Sequence, residues 1–183
     1  MIITIDNIKI FKFNFFSKEI SDIVLRSYYE NNLIDCTFFT NTKKENLKKT
    51  FFANLYSKAI KNFKIKLDYD FDFVFTQGYI DVTHKNTEND CLVNNQNLEG
   101  MDVNLKKHIQ EKKNIELPYT VIHFVKKNRN NPNYYFMINN KKQEIQTLEN
   151  DILIFPGTLW HGTFLNSGDD MICFKTFIRK KWK

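Results

Sequence analysis

The spacing of apolar residues changes once along the chain, and the change divides it. Residues 2–16 are rich in Ile and Phe and read as extended chain. Ser17 stands where it caps a helix running to about Tyr29. A second helix is plainer: Leu47, Phe51, Leu55, Ala59 and Phe63 recur every fourth residue, with Phe52, Tyr56 and Ile60 beside them and Lys on the other face. A stripe that wide packs against a sheet. From residue 71 the period falls to two. Phe71, Phe73 and Phe75 share one face of a strand reaching Val82. Residues 85–100, polar and Asn-rich, read as a long loop. Short β-type runs follow at 119–126, 133–138, 143–148, 152–155, 159–164 and 171–178, separated by Asn, Gly, Asp or Pro. Strands at this spacing predict a sandwich or jelly roll.

The fold class expected is therefore α+β, mainly β. One domain over residues 1–183 suits the length, with a strand and two helices in 1–70 and a jelly-roll core in 71–183. Eighteen Phe make the core rich in rings. No apolar run is long enough to span a bilayer. The first residues lack the basic start of a secretory signal, so a cytoplasmic protein is expected, in a host cell or virion if the source is viral. Three widely spaced cysteines, Cys36, Cys91 and Cys173, argue for a reducing compartment and against a disulfide framework.

The net charge of +6 comes almost wholly from Lys, since Arg26, Arg129 and Arg179 are the only arginines. With many Asn, Ile and Phe, this suggests an AT-rich genome such as that of a phage, giant virus or streamlined bacterium. It also weakens the reading of Lys as a phosphate-binding surface. The basic end, Arg179 to Lys183 with Trp182, reads as a solvated tail, and no nucleic-acid partner is expected. Phosphate-cradling loops need glycine, and the chain has five.

The segment Asp151-Ile-Leu-Ile-Phe-Pro-Gly-Thr-Leu-Trp-His161-Gly carries the candidate chemistry. It reads as a buried strand stopped by Pro156-Gly157, with a histidine on the next strand. This resembles the distal-histidine strand of the iron(II)/2-oxoglutarate oxygenases, which fold as a double-stranded β-helix (jelly roll, cupin-like) with supporting N-terminal helices. The resemblance implies Fe(II) and 2-oxoglutarate as cofactors, a hydroxylation of an unknown substrate, and a facial triad of two His and one carboxylate. His161 matches the distal ligand. His108, ahead of the strand at 119–126, is the best match for the proximal one. His84 is held in reserve, and His123, inside that strand, reads as a packed or hydrogen-bonded structural residue.

Two departures from the family pattern stand out. His108-Ile-Gln110 has a neutral amide where the carboxylate is expected, so Gln110 is the third metal candidate. Glu111 is one position late; Asp102 or Asp81 could supply a carboxylate from elsewhere. The family's anchor for 2-oxoglutarate, an Arg or Lys on the last strand and often an Arg, would fall near Met171, where this chain has none; Lys175, slightly later and by alternation on the face of Met171, could serve as a point-charge partner. An exposed strand lysine is the alternative there. The rival to an oxygenase is a jelly roll that has lost its chemistry and serves as a phage or viral structural or assembly protein, with self-association as its mode. A third reading is a cupin-like binder or isomerase of a small molecule.

Overall fold

The computed structural model describes residues 1–14, 18–30, 73–91, 119–157 and 159–180. The helix expected over 47–63 lies outside the described residues. Strands β1 (Ile2–Ile5) and β2 (Ile8–Asn14) form a hairpin within the stretch read as extended. Its two-residue turn, Asp6-Asn7, has φ of 48° and 68°. Two successive left-handed residues match the twist of paired strands, and Asp and Asn tolerate that region better than most residues. Helix α1 (Lys18–Glu30) follows and buries Ser21 and Val24, one turn apart.

Strands β3 (Phe73–Thr83), β4 (Asn89–Cys91), β5 (Tyr119–Lys126), β6 (Tyr134–Ile138), β7 (Lys141–Ile145), β8 (Asp151–Pro156), β9 (His161–Thr163) and β10 (Met171–Lys180) complete the described elements. They form a six-stranded sheet in the order β1-β2-β8-β5-β10-β3 and a four-stranded sheet in the order β4-β9-β6-β7. All pairings are antiparallel. From β3 onward the chain crosses repeatedly between the two sheets, and this alternation is the double-stranded β-helix, a jelly roll. No helix among the described residues is long and apolar enough to cross a membrane.

The core lies between the sheets. Ile122, Phe124, Leu153, Phe155, Met171 and Cys173 come from the larger sheet, and Tyr134, Phe136, Ile138 and Ile145 from the smaller. Alternation then puts His123 on the outer face of β5, under α1, and Lys175 on the inner face of β10 with Met171 and Cys173.

Two differences from the pattern reading have simple causes. Asn139 and Asn140, with φ of 50° and 61°, make a second two-residue turn, so β7 starts at Lys141 rather than Gln143. Strand β4 falls inside the stretch read as a loop. Asn89-Asp90-Cys91 has no apolar alternation, and its extended form comes from pairing with β9.

The turn between β9 and β10 is tied to its neighbours by amides. Buried Asn166 donates through Nδ2 to the Thr83 carbonyl at 3.0 Å and to the Asp169 carbonyl at 2.9 Å, and accepts from Asn131 Nδ2 at 2.9 Å. These bonds hold the end of β3 beside β10.

Candidate functional site

His161 is 5% exposed and starts β9 on the inner face of the smaller sheet. Its ring packs against Phe155 at 4.7 Å between centroids, Tyr134 at 5.6 Å and Phe136 at 6.3 Å. Nδ1 lies 2.8 Å from the Leu159 carbonyl oxygen. A carbonyl only accepts, so Nδ1 carries the proton and Nε2 keeps its lone pair. Burial, with the nearby positive charge of Lys175, pushes the imidazole pKa down to about 3. The ring is neutral at physiological pH, the form that ligates a metal.

Lys175 is 2% exposed, which excludes the surface-lysine alternative. Its Nζ lies 2.5 Å from Asp81 Oδ2, a carboxylate on β3. The register explains the meeting. Asp81 is the backbone partner of Cys173, two residues from Lys175 on the same inner face. Asp81, named in the sequence as a spare carboxylate source, is thus paired with the lysine. Lys175 from β10 and His161 from β9 both face the space between the two sheets.

The backbone partners of His161 in the small sheet are Phe136 on β6 and Cys91 on β4. Residues 92–118 lie outside the described residues, and with them His108, Gln110, Glu111 and Asp102. The other two histidines are not in the interior. His84 is exposed, with Nδ1 3.1 Å from Asp170 Oδ2. His123 is the structural residue expected: its Nε2 is 3.3 Å from Ser21 Oγ, and burial lowers its pKa to about 3. Among the described residues no group of three His, Cys, Asp or Glu side chains could hold a metal. Sequence reasoning passed over Thr163 and Thr120, whose buried hydroxyl oxygens find no hydrogen-bond partner among the described residues. Thr163 pairs in register with inward-facing Tyr134, and so adds a polar atom near His161.

No protein-family model matches the sequence, and no curated protein matches it. Solved structures do. A viral collagen prolyl hydroxylase from Paramecium Bursaria Chlorella virus-1, in its 2OG complex, superposes with a TM-score of 0.60 at 12% identity, over 93% of this chain and 95% of that one. Iron-bound HygX from Streptomyces hygroscopicus gives 0.63 at 8% identity, over 97% and 84%. A Pseudomonas putida prolyl-4-hydroxylase gives 0.56 at 6%, over 94% and 88%. The chain therefore has the fold of the 2OG-Fe(II) oxygenase structures, the double-stranded β-helix that its strand pattern and the His161 segment implied.

The residues fit the two cofactors unequally. A buried, neutral imidazole with its Nε2 lone pair available suits one ligand position of Fe(II). The lysine suits a carboxylate, but an internal carboxylate already holds it.

Proposed function

We propose that the chain is an iron(II)/2-oxoglutarate oxygenase-like protein that hydroxylates an as yet unknown substrate when its site is complete. The observation that carries this reading is the convergence of His161 and Lys175, from different sheets, on one buried interior. His161 would bind Fe(II) through Nε2, with His108 and Gln110 as the further ligands expected from sequence. Lys175 would face the 2-oxoglutarate carboxylate. The bound metal and co-substrate supply the oxidising chemistry.

The chain's own residues do the rest. The Leu159 carbonyl fixes the tautomer and angle of His161, the arrangement that keeps a ligating nitrogen aimed. Phe155, Phe136 and Tyr134 keep water from the ring. The fold neighbours support the cofactor pairing: one is described with iron bound, and one with nickel and 2-oxoglutarate. Asp81 shares that lysine, so 2-oxoglutarate would compete with it for the ammonium.

The test is succinate release from 2-oxoglutarate under air with Fe(II). Release above the metal-free blank that is abolished in His161→Ala supports the oxygenase reading. Its absence from folded, iron-loaded protein favours a second one, a jelly roll that has lost this chemistry, to which the Lys175–Asp81 pair already lends weight.

A further inference from the structure

The ion pair at Lys175 determines which anions the interior accepts. A lysine buried to 2% exposure needs a counter-charge, and Asp81 supplies it at 2.5 Å. The partner is itself mostly buried, with its side chain 18% exposed. It sits two residues before the end of a strand pairing that runs from Phe73↔Lys180 to Met171↔Thr83, and the Asn166 amide holds the last residue of that strand. The backbone at Asp81 is therefore held against β10, which keeps its short side chain within reach of Lys175. An incoming carboxylate has to share one ammonium with a fixed carboxylate in a poorly solvated space, and two carboxylates that close repel.

We propose that Asp81 is a built-in competitor for the anion position at Lys175, so that the wild-type interior binds dicarboxylates weakly and binds them tightly once Asp81 is neutralised. This rests on the reading of Lys175 as the carboxylate anchor, and makes Asp81 the residue that sets the interior's selectivity.

The probe is succinate, a dicarboxylate with no 2-oxo group, whose binding needs no metal. Full-length, metal-free protein is titrated by calorimetry and followed by thermal denaturation. Wild type is expected to show only weak binding and slight stabilisation. Asp81→Asn is expected to bind succinate at least about tenfold more tightly than wild type, the scale of one charge-assisted hydrogen bond. Asp81→Asn/Lys175→Met, which removes the cation as well, is expected to lose the gain.

Succinate binding by wild type as tight as by Asp81→Asn overturns the proposal, as does a folded Asp81→Asn protein with no gain. Should Asp81→Asn need an anion to fold, recovery of its unfolding transition in succinate supports the proposal, since a ligand of the native state must stabilise it. A variant that stays unfolded in succinate overturns it. Fe(II) binding by wild type without carboxylate reports separately on the oxygenase reading: no iron with the succinate gain intact sinks that reading alone.

Discussion

The Leu159 carbonyl accepts the Nδ1 proton of His161 at 2.8 Å, two residues back along the same turn. This one bond decides the tautomer, aims Nε2 away from the turn, and links the Pro156-Gly157 segment to the chemistry of the site. The turn is itself fixed by a bond from the Leu159 amide to the Pro156 carbonyl at 3.0 Å.

The first prediction is a pH dependence of stability. His161 and His123 have folded pKa values near 3, below the ordinary 6.5. The unfolded chain then takes up protons below about pH 6.5 that the folded one refuses down to about 3, so stability present above pH 6.5 is lost as pH falls through that window. Each histidine contributes a slope of at most about 1.4 kcal/mol per pH unit. Urea melts at pH 7.5, 6.0 and 5.0 should show the decline, and His161→Gln should make it shallower. A decline of unchanged slope in His161→Gln would contradict the assignment.

The second prediction concerns the buried pair. Lys175→Met leaves Asp81 without its lysine and should cost about 3 kcal/mol, as is usual when one member of a buried pair is removed. The double variant Lys175→Met/Asp81→Asn should recover most of that loss. Chemical denaturation of the two single variants and the double gives the coupling directly, and additive losses would show that the pair contributes nothing.

Much of this arrangement was legible in the sequence. Tyr119–Lys126 was placed to the residue, because an apolar run bounded by Pro118 and a Lys-Asn loop permits little else. The His161 segment was recognised because Pro156 and Gly157 stop a buried strand before the histidine. Strand β4 was not legible, since three polar or small residues carry no period and owe their form to β9. Nor was the partner of Lys175. A carboxylate two register positions from a lysine is defined only once β3 and β10 are paired, and residues 81 and 175 are remote in sequence. The exposed-lysine alternative failed for the same reason: one strand's alternation names a face, but not which face meets the other sheet.

The third prediction separates the two buried histidines by role. His123 lies under α1 with Ser21, outside the sheet interior. Removing a buried, hydrogen-bonded ring costs about 1–3 kcal/mol. His123→Gln should lower the melting temperature by several degrees while leaving Fe(II) affinity unchanged. Iron affinity that falls with His123→Gln would place the metal elsewhere.

The fourth prediction is steric. Phe155 packs edge-on against both Phe136 and His161, each at 4.7 Å. Phe155→Ala should cost about 3–5 kcal/mol in a urea melt, the usual cost of deleting a buried ring. It should also let water reach His161, raising that imidazole's pKa toward its ordinary value. Proton NMR titration of the His161 ring reads this shift, and an unmoved titration would show that Phe155 does not shield the ring.

The central claim is that His161 is a metal ligand, and anaerobic Fe(II) titration of metal-free protein tests it most directly. The account predicts one iron per chain in wild type and in His123→Gln, and loss of binding in a folded His161→Ala protein. Iron binding unchanged in His161→Ala, or none in wild type, would contradict it.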